Sequence, residues 1–250
     1  PPVPTEPPLS AQSAEVAPIP AGVPTWPRRG RIVYDVFRGD KNFLVGETVH
    51  SWEQDGRRYR MESVVETVGL AAMMRDFHYV QRSEGRVTER GLVPERFQVE
   101  QGGKRDESAE FDWASGEAVV RRARKPERRA PVKAGDQDVL SIWHQLALIG
   151  EPSPHMRVTL VSNKAATPAE LTAVGVDVLT LPMGHVVAHH LRARALDDSL
   201  SIDIWLAEKY GYLPVRVVFK DRQGELFDQR AREVSRGDAV GSDQEASPEK

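Results

Sequence analysis

The chain has 250 residues, with 34 Lys and Arg against 37 Asp and Glu, a formal net charge of -3 and no cysteine. Interspersed charge of both signs argues against nucleic acid as a partner, because such binders concentrate positive charge to displace counterions. Without cysteine there is no disulfide, no thiolate metal ligand and no cysteine nucleophile, and no apolar run approaches the roughly 20 residues of a membrane-spanning helix.

Residues 1–27 hold nine of the 18 prolines. Proline removes backbone donors and favours extended polyproline II, so this segment is expected to be a disordered, semi-rigid linker of the kind that stands a domain off a membrane. The chain starts at Pro1 rather than methionine, and an export segment or membrane anchor is expected upstream.

From residue 28 to 234 the hydrophobic period is mainly two. Ile32, Tyr34 and Val36 share a face, as do Tyr59, Met61 and Val65, then Ile202, Ile204 and Leu206, then Val215, Val217 and Phe219. Such alternation marks strands with one buried face. "GDKN", "QDGR", "SEGR" and "DRQG" supply turns short enough for antiparallel hairpins. About a dozen strands are too many for one flat sheet, so the expected fold is mainly β, a strongly curved open or half barrel. Residues 235–250 read as a disordered polar tail.

Two stretches break the period. "TVGLAAMMRDF" (67–77) reads as a helical turn or an inward-dipping loop. "GDQDVLSIWHQL" (135–146) has helical spacing through Val139, Ile142, Trp143, Leu146 and Ile149. Asp136 or Asp138 suits its N-terminus, while Gly150 and Pro152 stop it. A helix over 137–149, apolar on most of its circumference, belongs in the concave face of the sheet.

The chemical motifs are sparse. His185 and His189 have the spacing of a helical zinc motif, but on a strand they lie about 13 Å apart, so no metal site is assigned. Ser141 and His144 form an i, i+3 pair without the "GxSxG" elbow of a hydrolase. A hydrolase would need His144 or His190 to meet a nucleophile and a carboxylate. No phosphate-binding glycine loop occurs, and no cofactor or catalytic residue is assigned. Asp197 and Asp198 are ordinary turn residues. The run Arg121, Arg122, Arg124, Lys125, Arg128 and Arg129 reads as a solvated strand edge. The remaining lead is apolar volume: Leu70, Met73, Met74 and Phe77, with Ile142, Trp143 and Leu146, are the candidate ligand-binding residues.

"SEGRVTERGLVPERF" (83–97), "AEFDWASGEAVV" (109–120), "GDQDVLSIWHQLA" (135–147) and "IDIWLAEKYGYLPVRVVF" (202–219) occur in that order. As a set they resemble the domain-of-unknown-function 3108 family of exported bacterial proteins, from about Gly30 to about Asp228. The resemblance implies a periplasmic location, with an inner-membrane anchor in a missing N-terminal segment, and a fold similar to the half-barrels of periplasmic lipoprotein carriers. It carries over no catalytic residue. The leading expectation is a non-enzymatic envelope protein that binds a lipid or lipoprotein acyl chain on its concave face. The alternative is a structural or protein-interaction module with an envelope protein partner and no small-molecule ligand.

Overall fold

A computed structural model describes residues 26–39, 42–69, 77–102, 106–150, 155–198, 200–220 and 224–237. The strands are β1 (Arg29–Arg38), β2 (Phe43–Gln54), β3 (Arg58–Thr67), β4 (His78–Thr88), β5 (Gly91–Gln101), β6 (Glu107–Asp112), β7 (Glu117–Arg121), β8 (Arg128–Pro131), β9 (Gln137–Asp138), β10 (His155–Val161), β11 (Ala166–Leu181), β12 (Gly184–Ala195), β13 (Ser201–Ala207), β14 (Leu213–Lys220) and β15 (Leu226–Gly237). They form one sheet in the order β8-β7-β6-β5-β4-β3-β2-β1-β15-β14-β13-β12-β11-β10-β9. The first strand therefore lies in the middle, paired to the last. Only β9 and β10 run parallel.

The sheet is curved and open, with β8 at one end and β9 at the other. Register shifts at Val33/Tyr34, Val36/Phe37, Glu84/Gly85, Ala173/Gly175 and Trp205/Leu206 help to curl it, because a bulge bends its strand and sharpens its twist. Inward positions follow the alternation of the sequence: Ile32 and Tyr34 on β1, Tyr59 and Met61 on β3, and Ile202, Ile204 and Leu206 on β13 are buried.

The single α-helix among the described residues, α1 (Ser141–Ile149), fills the concave side. It starts later than its apolar spacing predicts, since Gln137 and Asp138 pair with β10 as a strand. Asp138 still serves its N-terminus, its carboxylate accepting from the Leu140 and Ser141 amides, each at 2.8 Å. Asp136 instead accepts from the Lys133 and Thr159 amides. Gly150, at φ 78°, ends the helix as expected and returns its amide to the Leu146 carbonyl.

Two buried clusters flank α1. Leu140, Ala147 and Leu148 join the larger one, with Phe97, Met61, Tyr59 and Trp52. Ile142 and Leu146 join the second, with Val158, Leu160, Leu171, Leu191 and Ile204. Trp26 and Pro27, which composition assigns to the linker, belong to the folded body, and Trp26 is buried in the larger cluster. Ser235, Arg236 and Gly237, which composition assigns to the tail, instead complete β15 by pairing with β1; the rest of the linker, residues 238–250, and Leu70, Met73 and Met74 lie outside the described residues.

Candidate functional site

The segment from Gln137 to Leu146 places chemistry inside the curl. Asp138 at the end of β9, and Ser141, His144 and Gln145 on the helix, are all buried in a stretch whose spacing reads as apolar. Burying a polar group is costly unless it is hydrogen-bonded, and each of these finds partners on the sheet or in its own turn.

Gln145 and Gln137 grip β5. The Leu92 amide donates to Gln145 Oε1 at 2.7 Å, Gln145 Nε2 donates to the Arg90 carbonyl at 3.2 Å, and Gln137 Nε2 donates to the Leu92 carbonyl at 2.9 Å. This contact needs the glycine of "GLVPERF". Gly91 has φ 103°, and a Cβ there would sit 2.1 Å from Gln145 Oε1. The "FDW" turn is tied to the same strand: Trp113 Nε1 donates to the Pro94 carbonyl at 2.7 Å and its ring stacks on Phe111. Three of the stretches that carry the family resemblance thus meet around β5 and α1.

Asp138 anchors a second group. Ser83 Oγ donates to its Oδ2 at 2.6 Å, so the 3.2 Å contact from Tyr59 must be Tyr59 donating to Ser83. Burial pushes the Asp138 carboxyl up from its ordinary range, against the opposing pull of the Ser83, Ser141 and Leu140 donors. Burial, and then the Asp138 charge, hold the Tyr59 phenol well above its usual value.

His144 lies in an aromatic cage. Trp26 Nε1 donates to its Nδ1 at 2.8 Å, and its Nε2 meets His50 Nε2 at 2.6 Å. The Trp52 ring lies 4.7 Å away, and the edge of Trp26 meets Tyr59. An indole nitrogen only donates, so His144 Nδ1 carries no proton. Neutral His144 is then protonated on Nε2 and donates to His50, which leaves the His50 proton on Nδ1. That atom is buried without a hydrogen-bond partner. Burial lowers the His50 pKa to about 4, against an opposing pull from the Glu62 backbone. Burial, and then His50, drive His144 well below its ordinary value.

His144 is not placed to act as a base towards Ser141. Both ring nitrogens of His144 are taken by Trp26 and His50, and Ser83, Asp138, Ser141 and His144 have zero exposure. His190 faces two carboxylates, Asp203 at 2.7 Å and Asp177 at 3.5 Å, and stacks on Trp205. His185 and His189 do sit on a strand. His185 pairs with Thr180 and His189 packs beside Tyr212. Among the described residues no group of three His, Asp or Glu side chains is placed to hold a metal ion.

The apolar candidates separate. Ile142 and Leu146 are 1% and 4% exposed in the second cluster, and Trp143 packs partly buried against it. Phe77 belongs to neither cluster and stacks on Tyr79, its backbone paired with Thr67. An open groove of about 990 Å³ is lined by none of them; Arg28, Arg29, Arg58, Arg60, Tyr59 and Glu84 are among its walls. The basic run borders β7 and β8, where Arg121 and Arg129 pair with Glu110, Glu117 and Glu127. Sequence reading missed the polar network. The available signal was Asp138, Ser141 and Gln145, which recur at helical spacing within an otherwise apolar stretch.

A family model described as "Protein of unknown function (DUF3108)" matches residues 33–228. Among solved structures, a beta-barrel-like protein of domain of unknown function DUF1849 from Brucella abortus shares the fold, with TM-score 0.56, 13% identity, and 84% of this chain and 98% of that chain covered. A candidate lipoprotein from Parabacteroides distasonis aligns at TM-score 0.34 and 9% identity over 84% and 97% of the two chains. A candidate exported protein with YmcC-like fold from Bacteroides fragilis aligns at 0.31 and 11% over 83% and 95%. No curated protein matches the chain significantly.

Proposed function

The chain belongs to the DUF3108 family of proteins of unknown function, and on that premise we propose a non-enzymatic module of the bacterial cell envelope that acts through its outer surface. The envelope assignment rests on the exported character that the sequence resemblance implies. A lipid on the concave face would need the space that Ile142 and Leu146 fill.

The observation that carries this reading is the far half of the β11–β12 hairpin. β10 pairs with β11 only through Thr172, so from there to Leu181 β11 has one strand partner among the described residues. Val174, Val176, Val178 and Val187 are 50%, 58%, 75% and 58% exposed. Sheet edges are usually guarded by charge or proline, and β8, the terminal strand, carries Arg128, Arg129 and Pro131. The far half of β11 carries one charge, Asp177, which accepts from Trp205 Nε1 at 2.8 Å. A β-branched edge with a single charge fits an extended strand of a protein partner.

The test is a photo-crosslinker at Val178, with Arg96 as control, in cells making the full-length chain. We expect a discrete protein adduct from Val178 only, and no stoichiometric lipid in extracts of the purified protein. A bound lipid, or no adduct, would overturn the reading.

A further inference from the structure

We propose that the His50–His144 pair is a proton-operated latch that holds Trp26, and with it the chain entering β1, against the interior of the sheet. The segment is fastened at several points. Besides the Trp26–His144 bond, Trp52 Nε1 donates to the Pro27 carbonyl at 3.1 Å, Gln54 Nε2 to the Trp26 carbonyl at 3.0 Å, and the Gln54 amide to the Arg28 carbonyl at 2.7 Å. Only the His144 contact depends on a titratable side chain.

Counting protons gives the mechanism. The two rings have four nitrogens. The 2.6 Å contact between the Nε2 atoms holds one proton and no more, since two would oppose each other. In the neutral pair the second proton sits on His50 Nδ1, because His144 Nδ1 must stay bare to accept from Trp26. A third proton, entering at either ring, leaves both outer nitrogens protonated. His144 Nδ1–H then faces Trp26 Nε1–H, donor against donor. One proton taken up by the pair therefore ejects the indole or breaks the histidine contact.

The surroundings do not supply a counter-charge that would neutralise this effect. From β3, Tyr59 faces the cage, and from the end of β9, Asp138 reaches it through Ser83. The Asp138 charge acts on Tyr59, whereas the group acting on His144 is His50. Trp26 and Trp52 are uncharged. Tyr59 also lines the open groove. Withdrawal of Trp26 from its edge would extend that groove towards the aromatic cage.

Indole N–H resonances of the ¹⁵N-labelled chain test this between pH 6.5 and about 3, the range that spans the depressed titration of the pair. We expect the Trp26 signal to leave its hydrogen-bonded position along a one-proton curve while Trp113, Trp143 and Trp205 hold theirs. Linkage is reciprocal, so in Trp26→Phe, which keeps a ring but removes the donor, the histidine pair should titrate higher by about one pH unit, a tenfold gain in proton affinity. Simultaneous movement of all the indole signals would mean global acid unfolding and overturn the latch. So would an unchanged histidine titration in Trp26→Phe.

Discussion

Two buried histidines set the acid response. An unfolded histidine titrates near 6.5, whereas His50 folded titrates at about 4 and His144 is also depressed. The unfolded state therefore binds protons first as pH falls. Their stabilising contribution is complete above about pH 6.5 and is lost through the window down to about pH 4, by on the order of 3 kcal/mol for His50 alone. Asp138 has the opposite sign: its raised folded value favours the native state at low pH and fades as pH rises, so it partly offsets the loss. Denaturant titrations at stepped pH should show midpoints falling from pH 7 to 5, with the slope reduced in His50→Phe. At the same scale, Gln145→Ala strips the Leu92 amide of its acceptor and should cost about 1–3 kcal/mol in equilibrium unfolding.

The elements were legible where periodicity is the dominant signal. Alternation in β3 gives its inward face, Tyr59 and Met61, whereas β1 and β13 also bury Val33 and Trp205 between the inward residues that the pattern picks out. In α1 the apolar spacing located the helix, but it described one side of it. Ile142 and Leu146 meet the β10–β14 half of the sheet, while Asp138, Ser141, His144 and Gln145 meet partners fifty or more residues earlier, or in their own turn. Such pairings follow from the curl of the sheet, which no local pattern encodes. Phe77 shows the converse: its composition suited a pocket, but its backbone pairing with Thr67 keeps it at the β3–β4 end. Two element-scale outcomes follow. Gly91→Ala strains a residue at φ 103° and displaces the Gln145 carboxamide, so it should destabilise by more than the roughly 1 kcal/mol of a compatible glycine change. Val178→Lys, on the exposed β11 edge, should leave the thermal midpoint within a few degrees yet abolish the protein adduct from a photo-crosslinker placed at Val176.

At the scale of the whole molecule, α1 joins two flanks of one sheet. Its polar side chains, with Ala147 and Leu148, bind the β2–β5 flank, and Ile142 and Leu146 bind the β10–β14 flank. The curl is thus held from inside by α1, on which rests the proposal that the protein acts through its outer surface and its Trp26 end. Ile142 tests this most directly because it is 1% exposed and packs in the second cluster without a polar partner. Equilibrium unfolding of Ile142→Ala should show a loss of about 2–5 kcal/mol, the cost of a cavity in a packed core, with no bound lipid in native mass spectra of either form. A loss below about 1 kcal/mol, together with a lipid that the wild type carries and the variant sheds, would show a pocket wall instead of a plug.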